Sequence, residues 1–186
     1  MNESQEAALI SRCQAGDQEA FSTLVEQHSR VLFGTAYLMT RDRGLAEDAV
    51  QGALIQMWKK LPSLRLHSNL KAWLVRIVVN EVNQQRRKKR LPTVPLEQAP
   101  EITDDLEEAE TALVRDEDHQ RLRQALEVLT VEQREAVVLR YFSDLTVPEV
   151  AAVSGEREGT IKSRLSRALD KLGEIMRKDE IFQDRR

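Results

Sequence analysis

Between Pro92 and Asp118 the chain loses the means to build a core. Pro92, Pro95 and Pro100 break helices there, and ten residues from Glu97 to Asp118 are acidic against the single base Arg115. Proline removes a backbone donor and fixes φ. An acidic, proline-broken stretch also buries too little apolar surface to offset the entropy of ordering. A flexible acidic linker is therefore expected over residues 92–117, with one unit before it (1–91) and one after it (118–181). Helix is expected to return within this region, from about Leu106 to Leu129, with Leu122, Leu126 and Leu129 as its apolar end.

Both flanks are rich in Ala, Leu, Glu, Gln, Arg and Lys, and the 186 residues include only seven Gly and five Pro, few for a turn-rich β fold. The expected class is all-α: two small helical domains with large solvated faces. In the first unit, a helix is expected over Ser4–Ala15, stopped at Gly16. Asp17 can then cap a second helix that buries Phe21, Leu24, Val25, Leu32, Ala36 and Met39. A third should run from Leu45 to Leu61, ending before Pro62, and a fourth from after Ser68 into the basic cluster Arg86–Arg90. In the second unit, Thr130-Val-Glu-Gln133 and Thr146-Val-Pro-Glu149 both have capping-box spacing. They predict two short helices, followed by a turn at Gly155 and a longer final helix.

A net charge of −3 conceals strong segregation. From Lys71 to Arg90 the only acid is Glu81, and the final helix turns basic again. At about 100° per residue, Ile161, Leu165, Ala168, Leu169, Leu172 and Met176 gather on one side of that last helix. Ser163 and Arg167 fall opposite, flanked by Lys162 and Arg164. A short capped helix and a tight turn precede this basic face, which makes a helix-turn-helix the expected geometry. Lys162, Ser163, Arg164 and Arg167 would then face a major groove.

The fourth helix carries a second stripe. Arg76, Asn80, Asn83 and Arg87 follow spacings of four, three and four, so they share one line. Leu70, Trp73, Leu74, Ile77 and Val78 lie to one side, and Val75, Val79 and Val82 to the other. Asn reads base edges and Arg reads phosphate or guanine, so DNA is the natural ligand. The run Val75–Val79 has some strand character, but the polar periodicity around it favours helix. The acidic linker is a soluble spacer or a segment that imitates nucleic acid in a partner's basic channel.

Other chemistries find little support. Cys13 is the only cysteine, and His28, His67 and His119 lack ligand partners at metal-site spacing, so no disulfide, metal or cofactor is expected. No phosphate loop, nucleophile elbow or paired-carboxylate arrangement points to an enzyme. There is no apolar run of membrane-spanning length and no signal-peptide core, so a cytoplasmic protein without membrane insertion is expected.

Several stretches carry a family likeness. Leu45-Ala-Glu-Asp-Ala-Val-Gln51, Met57-Trp-Lys-Lys-Leu-Pro62 and Trp73-Leu-Val-Arg-Ile-Val-Val-Asn80 resemble region 2 of bacterial extracytoplasmic-function (ECF) sigma factors, in the sigma-70 family. Arg134-Glu-Ala-Val-Val-Leu-Arg-Tyr-Phe142 and Gly159-Thr-Ile-Lys-Ser-Arg-Leu-Ser-Arg167 resemble their region 4. The resemblance implies a region 2 helical bundle and a region 4 helix-turn-helix in a transcription initiation factor. Its partners would be core RNA polymerase, through clamp and flap, promoter DNA and an anti-sigma factor. Asp48, Gln51 and Trp58 would grip the clamp. The loop Arg65–Asn69 would hold a flipped base of the −10 element, with Arg76, Asn80, Asn83 and Arg87 beside it. Lys162, Ser163, Arg164 and Arg167 would read the −35 element, and the linker would thread toward the RNA exit path. Three places depart from the family pattern: Gly52 stands where Glu is common, the turn Gly155-Glu-Arg-Glu-Gly159 carries two acids, and the loop Leu66-His-Ser-Asn69 is atypical. The alternative is a helix-turn-helix regulator that binds operator DNA, as a dimer, without joining polymerase.

Overall fold

The computed structural model describes residues 3–64, 69–90 and 124–183. The expected linker, most of the Leu106–Leu129 helix and residues 65–68 of the loop lie outside the described residues. Those residues fall into two separate compact units, and all regular structure among them is helical.

The N-terminal unit contains α1 (Glu3–Gln14), α2 (Gln18–Thr40), α3 (Arg43–Lys60), a 3-10 turn (Leu61–Ser63) and α4 (Leu70–Arg90). Each start has a local cause. Asp17 accepts from the Ala20 N–H at 3.0 Å and opens α2, and Asp42 accepts from the Leu45 N–H at 3.0 Å and opens α3. The Ala20 N–H and the Arg12 guanidinium, 2.7 Å away, hold the Asp17 carboxyl below the usual carboxylate range. Because Asp42 supplies the cap, α3 begins two residues before Leu45. It ends at Lys60, where Pro62 turns the chain into the 3-10 turn.

α2, α3 and α4 pack against one another in all three pairings. Leu24, Leu32, Phe33 and Met39 of α2, Met57 of α3 and Leu74 of α4 are each almost fully buried. Burying such a side chain stabilises by roughly 1.5–3 kcal/mol. On α3, Ala46, Ala49 and Ala53 are fully buried, small residues that let neighbouring backbones approach. Phe21, Val25 and Trp73 are half-buried, less enclosed than their apolar character suggests. Val75–Val79 is helical, because both flanks of α4 find apolar partners. Polar side chains complete the joints. The Gln14 amide donates to Leu61 O at 3.3 Å and Leu64 O at 2.7 Å, fastening α1 to the 3-10 turn. The Arg86 guanidinium donates to Met39 O in the last turn of α2.

The C-terminal unit begins with a helical turn (124–127), followed by α5 (Val131–Val137), a π-helical turn (Val138–Phe142), α6 (Val147–Ser154) and α7 (Glu158–Gln183). At the first capping box, the Thr130 N–H donates to Gln133 Oε1 (3.1 Å) and the Gln133 N–H to Thr130 Oγ1 (3.3 Å). At the second, Glu149 Oε2 accepts from the Thr146 N–H (2.7 Å) and hydroxyl (2.8 Å). The π-helical turn is not visible in the periodicity. It widens the end of α5 while keeping Val138 and Leu139 buried. Arg134 is only 8% exposed. Its guanidinium donates to Leu126 O (3.0 Å) and Leu129 O (3.3 Å), closing the helical turn before it. Lys171 Nζ reaches Gln133 Oε1 at 3.2 Å and ties α7 to α5.

Two stability measurements test this description. Arg134→Met should destabilise the C-terminal unit by roughly 2–4 kcal/mol in denaturant titration, because buried carbonyls lose a charged donor. His28 has its pKa pushed below 6.5, first by burial and then by Lys71. Its contribution to stability is thus intact above the unfolded value and is lost as pH falls through the lowered folded value. The N-terminal unit should weaken on acidification below about pH 6.5, and His28→Gln should flatten that slope in pH-dependent urea melts.

Candidate nucleic-acid interface

In the C-terminal unit, α6 and α7 meet through Val150, Ala151 and Val153 on one side and Ile161, Leu165 and Ala168 on the other, all buried. Gly155 closes α6 at φ +69, a left-handed conformation that disfavours side chains with a Cβ. The Glu156 N–H bonds back to Ala151 O at 3.0 Å, so the turn is fixed to α6. Leu169, expected on the apolar side of α7, is 44% exposed, because the buried seam follows Ile161, Leu165 and Ala168.

With that seam buried, Lys162, Ser163 and Arg167 are exposed and Arg164 is half-buried. Arg167 lies back along the helix, its Nη2 2.7 Å from Ser163 Oγ and its Nε 3.2 Å from Ser163 O. Arg164 Nη2 is 2.8 Å from Glu156 Oε1, and Lys162 Nζ is 3.8 Å from Glu158 Oε2. Ion pairs this exposed contribute only about 0–1 kcal/mol. They orient side chains more than they hold the fold.

On α4, Arg76, Asn80 and Arg87 are exposed, while Leu74, Ile77 and Val78 on one flank and Val75, Val79 and Val82 on the other are buried. Two members of the expected interface also have structural duties. Asn83 is half-buried and accepts from Arg86 Nη1 at 3.4 Å, beside the bond from Arg86 to α2. Asn69 is exposed, and its Oδ1 accepts from the Ala72 N–H at 3.0 Å as the cap of α4. Its side-chain oxygen is therefore committed to the backbone.

α3 presents a third stripe. Asp48 is exposed, Gln51 half-buried and Trp58 37% exposed, its ring edge-on to Phe21 at 5.0 Å. Ile55 completes the line and is 53% exposed, more than Trp58. Sequence reasoning missed it, although the spacing of three, four and three from Asp48 to Trp58 passes through it. Beside this stripe, a Cβ on Gly52 would lie 3.0 Å from Glu81 Oε2. The glycine leaves room for a carboxylate that reaches over from α4.

Together these features provide a cationic helix face behind a tight turn, a polar Arg/Asn stripe between buried flanks, and a mixed acidic and apolar stripe. The chain is similar to known proteins. Residues 24–91 match the family described as Sigma-70 region 2, and residues 119–172 match Sigma-70, region 4. The ECF RNA polymerase sigma factor SigM of Mycobacterium tuberculosis is 35% identical over 94% of this chain and 86% of its own length. The RNA polymerase sigma-H factor of Pseudomonas aeruginosa is 29% identical over 95% of this chain and 96% of its own. Among solved structures, sigma factor RpoE bound to the anti-sigma factor NepR, from Bartonella quintana, superimposes with a TM-score of 0.66 at 31% identity, covering 84% of this chain and 96% of that one. CnrH in complex with the cytosolic domain of CnrY gives a TM-score of 0.67 at 25% identity, covering 93% and 97%.

The double position of Asn69 can be separated experimentally. Asn69→Ala should cost the N-terminal unit about 1 kcal/mol in chemical denaturation through loss of the cap, whereas Asn69→Asp should keep that stability.

Proposed function

The chain belongs to the sigma-70 family, in its extracytoplasmic-function group, and on that footing we propose which of its residues make each contact. It is a transcription initiation factor that binds core RNA polymerase and directs it to promoters. In our reading residues 1–91 form the clamp-binding and −10 unit, residues 118–181 the −35 unit that also meets the flap, and residues 92–117 the connecting linker. The chain works in the cytoplasm, where polymerase is, and has no catalytic step or cofactor of its own.

The observation that carries this reading is that α4 and α7 each keep a polar stripe toward solvent beside a buried apolar seam, Leu74, Val75, Val78, Val79 and Val82 on α4 and Ile161, Leu165 and Ala168 on α7. On α7, Lys162, Ser163, Arg164 and Arg167 face the −35 element. Arg can make bidentate bonds to guanine, and Lys and Arg neutralise phosphates. On α4, Arg76, Asn80 and Arg87 face the −10 element, with Asn83 bracing Arg86 at the edge and Asn69 at the mouth of the loop. On α3, Asp48, Gln51 and Trp58, joined by Ile55, meet the polymerase clamp: the apolar pair supplies buried area and Asp48 a charge for a basic partner. An anti-sigma factor would cover the same stripes; the similar chain RpoE is solved in complex with the anti-sigma factor NepR, and CnrH with the cytosolic domain of CnrY.

The test is run-off transcription with core polymerase over a library of genomic fragments. Initiation at a restricted set of sites, dependent on this chain, is expected. Failure of the chain to bind core polymerase would refute the assignment. Ile55→Asp with Trp58→Ala should abolish core binding while sparing the fold of the C-terminal unit. Arg164→Ala with Arg167→Ala should leave core binding intact but lower the log–log salt slope of promoter binding by about 0.9 for each phosphate left without its cation.

A further inference from the structure

The turn that enters α7 and the first residue of that helix each hold a carboxylate, Glu156 and Glu158, and the promoter contacts above use neither. Glu156 stands one residue past the left-handed Gly155, and its backbone is pinned to α6 by the bond to Ala151 O. From there its Oε1 reaches Arg164 Nη2 at 2.8 Å, a bond spanning eight residues that links the turn to the reading helix. Arg164 is also the more enclosed of the two paired cations, with its side chain 22% exposed against 67% for Lys162. The Glu158–Lys162 pair at 3.8 Å is looser and lies within one helical turn.

We propose that Glu156 is a positioning residue for base reading: it holds the Arg164 guanidinium by one terminal nitrogen and so sets which base edge in the groove its other donors meet. This rests on the assignment of α7 as the −35 reading helix. An unrestrained arginine turns to a phosphate as readily as to a base, and phosphate contacts carry no sequence information. A carboxylate on a fixed backbone removes that freedom and repels nearby phosphates. Side by side, the pair presents guanidinium donors and a carboxylate acceptor. In the major groove, guanine offers two acceptors and its cytosine partner a donor amine. The ligand that the pair fits is therefore a G·C base pair in the −35 element.

The experiment uses holoenzyme, reconstituted from core polymerase and the full chain, and promoters randomised across the −35 element. Wild type, Glu156→Gln, Glu156→Ala, Arg164→Ala and the double variant Glu156→Ala with Arg164→Ala are compared, with thermal unfolding as the check on folding. Arg164→Ala should erase a preference for G at one position. Glu156→Ala should weaken that same preference by about tenfold and steepen the salt slope by about 0.9 as Arg164 moves to a phosphate. Glu156→Gln, which keeps a hydrogen bond without the charge, should fall between, and the double variant should match Arg164→Ala. Loss of the preference in Arg164→Ala but its full retention in Glu156→Ala overturns the proposal while leaving the role of α7 intact. An unchanged profile in Arg164→Ala removes Arg164 from base reading, and the proposal fails with it.

Discussion

Everything in the N-terminal unit depends on keeping α4 dry. Its valines and leucines are buried on both flanks, and the helix packs against both α2 and α3. A helix enclosed on two sides has one narrow strip left for polar residues, and whatever it is to bind must be met there. Arg76, Asn80 and Arg87 occupy that strip, so the polar surface proposed to meet DNA follows from the packing. The same logic works at smaller scale on α7, where burial of Ile161, Leu165 and Ala168 turns the basic residues outward. In both units a thin core is sufficient, because the chemistry needs an oriented surface and no cavity.

Much of this is legible in the sequence, and the legible part is local. Asp17, Thr130 and Thr146 announce their helices because capping links residues three apart. The stripes of α4 and α7 are periodicities within a single helix, and in the structure all their members but the half-buried Asn83 and Arg164 are exposed. What cannot be read is where a long side chain goes once it leaves its own helix. Arg86 sits in a basic cluster that looks made for nucleic acid, yet it spends its guanidinium on a carbonyl of α2. Asn69 looks like a loop contact and serves as a cap. The Glu156–Arg164 bond spans a turn whose geometry is set by Gly155, so no single-helix pattern contains it. The π-helical turn and the exposure of Leu169 are hidden because both depend on how α5 to α7 pack. Ile55 differs: its periodicity is plain in the sequence, but the charged and aromatic members of its line overshadow it.

Gly52 shows how packing can reinterpret a departure from a family pattern. Read along the chain, it is an acid missing from α3. In the fold, the Glu81 carboxylate from α4 lies over the same spot, close enough that a Cβ would press against it. Negative charge is therefore still present at that point of the surface, but it is delivered by a neighbouring helix.

The buried Arg134 bears on where the chain can be divided. Its two carbonyl partners, Leu126 and Leu129, come before the capping box that formally starts α5. A fragment cut at Thr130 would keep every residue of the helix-turn-helix and remove two carbonyls that a buried guanidinium donates to. The shortest self-sufficient piece of the C-terminal half must therefore reach back past Leu126, into sequence that helix boundaries alone would mark as dispensable. For recombination between relatives, the natural joint lies upstream of that residue, not at the helix start.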